Sequence, residues 1–220
     1  MDHKPLVTCL TNAVAAPFTA NCLLAIGAKP AMVGEPSEAE ELTAVADALL
    51  INVGTVTAHQ AEAMKAAVRV ANRRGIPWVL DPVGVQFLAF RQAVVLDLLS
   101  LKPTLIRGNH DEIDFILGTV PTLKGSVPLL STGEVDRIII EPEVVENTGG
   151  VPLLQTVTAT GCAQGGLCAA FLGRGLPPRN AAIRASKLMK AAGERAASRT
   201  HAPGSFQAAL IDALWEIEHD

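Results

Sequence analysis

Residues 48–84 read ALLINVGTVTAHQAEAMKAAVRVANRRGIPWVLDPVG. A short apolar run, ALLINVG, gives way to residues 57–73, where apolar positions recur at helical spacing, and a second apolar run, PWVLDPVG, follows Gly75. Short apolar runs bounded by turn residues are what strands buried on both faces look like, and runs alternating with helical patterns predict parallel strands joined by crossover helices. The same alternation extends outward on both sides. LVTCLT precedes a helical pattern over residues 15–26, PAMV one over 37–46, the PWVLDPVG run one over 91–99, and TLIRGN one over 110–117. The class implied is three-layer α/β with a mostly parallel central sheet. VPLLSTG and VDRIIIEPEVVENTGG then read as a strand and a hairpin turning near EPE, which gives the sheet an antiparallel edge. From Gly161 onward, alanine-rich helical stretches at 162–172, 178–199 and 204–217 are separated by GRGLPPR and HAPGS. No linker and no internal repeat divides the 220 residues, so a single domain is expected.

Composition narrows the function. With 49% hydrophobic residues and a mean hydropathy of +0.32, the chain can bury a large core. Aromatic residues are only 4%, with no Tyr, which disfavours stacking on single-stranded nucleic acid. A net charge of −4 leaves no global basic field for nucleic acid or anionic lipid, so a small-molecule ligand is expected. Cys9, Cys22, Cys162 and Cys168 form no C-x-x-C pair and have no histidine at zinc spacing, and they read as reduced thiols of a cytoplasmic protein. MDHKPLVTCLTN has an acidic second residue and no long apolar run, so neither a signal peptide nor a membrane span is expected there.

In open α/β sheets, ligands bind beyond the carboxyl ends of the strands. Asn12 closes CLTN, Asp81 closes WVLD, Arg107 and Asn109 close LIRGN, and Thr132 closes LLST, with Glu112 one turn into the next helix. Carboxylates for a hard cation and an arginine for phosphate oxygens are the components of phosphoryl transfer. Each has a plainer alternative. Asp81 before Pro82 suits a turn. Asp111 and Glu112 suit the first turn of a helix through its dipole. Arg107, ending a buried strand, needs an anionic partner, and either a protein carboxylate or a ligand phosphate answers. TATGC, residues 158–162, precedes a helix with small first residues, so the N–H groups of Thr160, Gly161, Cys162 and Ala163 are free to face an anion. The same field is expected to lower the Cys162 pKa and make it an available base. The alternative is a small buried thiol that merely packs, the expected role of Cys168.

LVTCLTNAV, LLAIGAKPAMV, ADALLINVGT, GIPWVLDPVG, KPTLIRGNHDEI, STGEVD, TVTATGCAQGGLCAAFL and PGSFQAALIDAL occur in order from Val7 to Leu214. In these segments the chain resembles the hydroxyethylthiazole kinases, thiamine-salvage members of the ribokinase-like superfamily. The resemblance implies a ribokinase-like α/β/α fold and ATP-dependent phosphorylation of the primary alcohol of a thiazole, with Mg²⁺. It also implies a homotrimer with sites between subunits. By position, Arg107 and Thr132 would contact ATP, and Asp81 and Glu112 would place magnesium, directly or through water. Met32, Asn12 and Ala159 would border the thiazole, and Thr160 and Gly161 would form the anion hole. Cys162 would stand where related sugar kinases place an aspartate base. Three departures accompany the resemblance. Ala159 replaces the family's usual glycine, a helix expected ahead of Lys4 is missing, and GTVPTLKGS, residues 118–126, stands where relatives carry a longer insertion. Two other readings remain open at this point. One is a nicotinamide-nucleotide hydrate dehydratase, for which an aspartate is expected in place of Cys162. The other is a thiazole-binding paralogue without catalysis.

Overall fold

A computed structural model of the chain describes residues 3–220. Met1 and Asp2, and with them part of the N-terminal stretch read above, lie outside the described residues. The strands are β1 Leu6–Leu10, β2 Lys29–Met32, β3 Ala48–Asn52, β4 Trp78–Asp81, β5 Leu105–Asn109, β6 Leu129–Thr132, β7 Asp136–Ile140 and β8 Glu143–Asn147. The helices are α1 Ala16–Ala25, α2 Pro36–Thr43, α3 Ala58–Arg74, α4 Ala89–Ser100, α5 His110–Thr119, α6 Thr160–Gly173, α7 Pro178–Ala197 and α8 Pro203–His219. One eight-stranded sheet runs in the order β2-β1-β3-β4-β5-β6-β7-β8. It is parallel from β2 to β6 and antiparallel at β6–β7 and β7–β8, as the sequence pattern requires.

Every residue of β3 and β4 is buried, because helices cover both faces of the sheet. One face carries Val7, Leu50 and Val79 against Phe18 of α1, Leu167 and Phe171 of α6, Leu188 of α7 and Phe206 of α8. The other carries Leu49, Ile51 and Leu80 against Met64 and Val68 of α3, Leu98 of α4 and Ile113 of α5. Local signals fix the helix ends. Thr57 and Gln60 form a capping box at the start of α3, and Gly75 closes it in the left-handed conformation, φ 69°. No helix among the described residues is long and apolar enough to cross a membrane.

The register sets Asn52 beside Asp81 and Asn109 beside Thr132, so the polar residues that end these strands share one edge. Helix α6 is apolar on nearly all sides and lies wedged between the sheet and α1. Its glycines permit the close approach. A Cβ on Gly165 would lie 3.3 Å from Leu50 Cδ1, and one on Gly166 would lie 3.0 Å from Thr19 Cγ2 of α1. The first turn of α6 is thereby held over the strand ends. Gly166→Val should overpack the α1–α6 contact and lower stability by about 1–3 kcal/mol, read as a lower urea midpoint with an unchanged m value.

Candidate active site

Four polar side chains meet where β1, β3 and β4 end. Asn52 donates from Nδ2 to Asp81 Oδ2 at 2.5 Å, and its Oδ1 accepts from Asn12 Nδ2 at 2.9 Å and from the Gly54 N–H at 3.0 Å. Asn12 Nδ2 also reaches Cys162 Sγ at 3.4 Å, and Asn12 Oδ1 accepts from the Ala15 N–H at 2.9 Å. A chain of amides therefore connects the Cys162 thiol to the Asp81 carboxylate. Asp81 Oδ1, fully buried, has no hydrogen-bond partner. The nearest cationic group to it is Arg107 Nη1 at 3.6 Å. An orphaned carboxylate oxygen of this kind fits a hard cation.

Arg107, only 7% exposed, extends from β5 beneath the N-terminus of α6. Its Nη2 donates to Thr132 Oγ1 at 2.8 Å and its Nε to Gln164 Oε1 at 3.4 Å. A Cβ on Gly161 would fall 2.6 Å from Nη2, so only glycine lets the helix backbone lie against the guanidinium. A protein carboxylate stands nearby, and N–H groups are left over for a ligand.

Glu112 is engaged differently. Its Oε2 accepts from the Asn109 N–H and its Oε1 from the Gly84 N–H, each at 2.8 Å, while Asn109 Oδ1 accepts from the Glu112 N–H at 2.8 Å. It is thus a capping-box residue of α5 that also pins the loop after β4. Lone pairs on both oxygens remain for a water or a cation. Among the described residues, no cluster of three or more His, Cys, Asp or Glu side chains forms a metal site. Magnesium, which keeps several waters and takes one or two carboxylates plus substrate phosphates, needs no such cluster.

Ala159 caps α6 at φ 71° and ψ 4°, a left-handed conformation that an L side chain occupies under strain. This is the physical basis of the glycine that the resemblance expects at this position. Beyond it, the first α-helical bond is donated by the Ala163 N–H to the Ala159 carbonyl at 2.8 Å. The N–H groups of Thr160, Gly161 and Cys162 precede it and are available to an anion, whereas that of Ala163 is committed, which corrects the expectation for that residue. The Thr160 hydroxyl donates to the Leu154 carbonyl at 2.8 Å and braces the turn.

The expected low pKa of Cys162 is also corrected. Burial pushes the thiol up to about 11, the Asp81 carboxylate adds to the rise, and Arg107, Asn52 and Asn12 oppose it. A helix terminus contributes ~0.3–1 kcal/mol, less than the several kcal/mol for stripping water from a buried anion. Asp81 is itself pushed up to about 7 by burial and by Glu112, against the pull of Arg107 and Asn52.

A cavity of about 420 Å³ opens between β5, β6 and the start of α6. Arg107, Glu112, Thr132, Ala159, Thr160, Gly161 and Cys162 line it, so most residues singled out in the sequence converge there. Asp81 and Asn12 lie behind this wall, joined to it through Arg107 and Cys162. Met32 stands apart, 37% exposed at the end of the edge strand β2. The sequence reading does not reach Asn52, Gln164, Asp136 or Lys190. Asn52 closes an apolar run as Asp81 does, and Gln164 interrupts an apolar helix, so both carry a signal. Asp136 and Lys190 carry none, because only the fold brings them to the cavity.

The fold that carries this cavity is the ribokinase-like fold. The pyridoxal kinase from Staphylococcus aureus, in complex with AMP-PCP and pyridoxal, superposes with a TM-score of 0.68 at 15% identity, covering 87% of this chain and 88% of that one. That likeness concerns the fold alone. The profile of the hydroxyethylthiazole kinase family matches residues 1–127 and 126–220, and the chain belongs to that family. A hydroxyethylthiazole kinase from Escherichia coli O17:K52:H18 is 43% identical over 237 residues, covering 98% of this chain and 90% of the relative. The structure of hydroxyethylthiazole kinase protein from Pyrococcus horikoshii OT3 superposes with a TM-score of 0.91 at 35% identity, covering 97% of this chain and 88% of that one. The alignment to the E. coli relative is longer than this 220-residue chain, so that relative carries internal residues absent here. The two matched segments meet at residues 126–127, inside the shortened connection from α5 to β6.

Two outcomes follow from the site's geometry. Because the folded Asp81 titrates near 7 and an unfolded aspartate near 4, the folded chain holds more protons between those values. Its contribution to stability is full below about pH 4 and is lost as pH rises toward 7. Denaturation of the ligand-free protein at pH 5 and 7.5 should show a smaller fall for Asp81→Asn. Ala159→Gly should relieve the left-handed strain and raise stability by about 0.5–1 kcal/mol, the gain reduced by the greater freedom of glycine in the unfolded chain.

Proposed function

We propose that this chain transfers the γ-phosphoryl group of ATP to the primary hydroxyl of hydroxyethylthiazole, with magnesium, as one ribokinase-like unit. Family membership supports the reaction class. The observation that carries it is the convergence on one cavity of Arg107, Thr132, the free N–H groups that open α6, and Cys162. These are donors to phosphate oxygens placed around a side chain able to face an acceptor hydroxyl.

Phosphoryl transfer passes through a loose transition state, so catalysis rests on positioning and on stabilising charge over the transferred oxygens. Arg107 and the N–H groups of Thr160, Gly161 and Cys162 would bind those oxygens as charge accumulates. Thr132 holds the guanidinium in place through its hydroxyl. Magnesium, when bound, would neutralise phosphate charge; Asp81, with its unpartnered oxygen, and Glu112, directly or through water, are the residues to hold it. Asn12, Ala159 and Met32 would border the thiazole. In the ligand-free chain Cys162 is a protonated thiol fixed by Asn12, so it must lose that proton before it can accept one from the alcohol. That thiol proton would pass to water in the cavity, and the thiolate left behind would take the alcohol proton as the alcohol oxygen bonds to phosphorus.

The exposure of Met32 at the sheet edge, away from the cavity, supports the homotrimer whose sites are completed by a neighbouring subunit. Cysteines that are all free support a cytoplasmic location. Purified protein given Mg-ATP and hydroxyethylthiazole should form the phosphate ester, followed by mass spectrometry. Omitting magnesium should abolish it. Cys162→Ala should cut turnover about a hundredfold or more while leaving the thiazole KM nearly unchanged. A folded protein that binds the thiazole without forming product would overturn the proposal.

A further inference from the structure

Gln164 is the one amide or charged side chain among the buried residues of α6. Burying a neutral amide is costly unless both ends are hydrogen-bonded, so its partners reveal its use. Its Oε1 accepts from Arg107 Nε at 3.4 Å, and its Nε2 donates to Asp136 Oδ2 at 3.2 Å. The amide can sit only one way round, because reversal would turn its NH₂ toward the guanidinium and its oxygen toward the carboxylate. Asp136 is satisfied from other directions by the Ser186 hydroxyl at 2.7 Å and the Gly133 N–H at 3.1 Å, with Lys190 Nζ at 3.7 Å. Lys190, 6% exposed, is anchored to the Glu134 and Gly149 carbonyls at 2.7 and 3.1 Å.

Resting on the reading that Arg107 binds ATP phosphate, we infer that Gln164 is a positioning residue that holds the guanidinium by Nε and keeps the Asp136 carboxylate off it. With Nε held by Gln164 and one Nη2 hydrogen by Thr132, Nη1, which faces Asp81 Oδ1 at 3.6 Å, and the second Nη2 hydrogen make no side-chain hydrogen bond and lie beside the Gly161 backbone. Arg107 already faces the Asp81 carboxylate at 3.6 Å, and a second, hydrogen-bonded carboxylate from Asp136 would neutralise inside the protein the charge that remains for the ligand. The neutral amide carries the polarity from cation to anion without that pairing.

The test compares Arg107→Gln, Gln164→Leu, Gln164→Glu and the double variant Gln164→Glu with Asp136→Asn, measuring KM for ATP, KM for hydroxyethylthiazole and Tm. Gln164→Leu should raise the ATP KM about tenfold, the loss of a hydrogen bond to a charged group, and leave the thiazole KM within about twofold. Gln164→Glu should weaken ATP binding further, because its carboxylate pairs with the guanidinium while repelling Asp136. In the double variant the repulsion is gone but a carboxylate still pairs with the guanidinium, so Tm should return toward the wild type while the ATP KM stays raised. If the role of Gln164 were structural alone, the ATP KM would recover together with Tm, and the inference would fail. If Arg107→Gln raises the ATP KM but Gln164→Leu does not, the inference fails and the ATP reading stands. If Arg107→Gln leaves it unchanged, both fail. The Arg107 Nε–H resonance, compared between wild type and Gln164→Leu, reads the bond without turnover, and an unshifted resonance overturns the inference.

Discussion

Burying Arg107 and Asp81 at the ends of adjacent strands removes both from water, and the surrounding structure gives each a neutral partner while leaving Asp81 Oδ1 without a hydrogen bond. They stand 3.6 Å apart at their nearest atoms, close enough to attract and too far for a hydrogen bond. The remaining demand falls on neutral groups: Asn52 for the aspartate, Thr132 and Gln164 for the arginine. An ion pair left loose in this way retains binding capacity on both members. The parallel register is what makes it possible, since it aligns the ends of β3, β4, β5 and β6 along a single edge.

Helix α6 completes the arrangement through its small residues. Gly161 lets the backbone lie on the guanidinium, while Gly165 and Gly166 let the helix press against the sheet and α1. A helix of larger residues would stand farther off, and its free N–H groups would no longer share a cavity with Arg107. At Ala159 the same closeness is achieved by an alanine in a glycine conformation, so this chain accepts local strain next to its anion site. The shortening of the α5–β6 connection leaves the cavity-lining residues Thr132 and Gly133 in place, because β6 is held in register by β5 on one side and β7 on the other.

Cysteine chemistry shows where local reasoning reverses on folding. A helix N-terminus favours a thiolate, and TATGC does open a helix. Desolvation and the neighbouring Asp81 outweigh that field, and both depend on residues distant in sequence. The amide chain from Cys162 through Asn12 and Asn52 to Asp81 draws on β3, β4, α6 and the loop after β1.

By itself, the sequence determined the alternation of buried strands and helices, the antiparallel end of the sheet, and the strand-end residues Asp81, Arg107 and Thr132. Each of these follows from local periodicity or from position at the end of an apolar run. Only the tertiary structure decided that Glu112 spends both oxygens on backbone N–H groups and that the thiol is held protonated. It alone brought Asp136 and Lys190 to the cavity and set Met32 apart from it. Those outcomes depend on burial and on which side chains meet across the sheet, quantities fixed by packing among residues far apart in the chain rather than by any pattern along it.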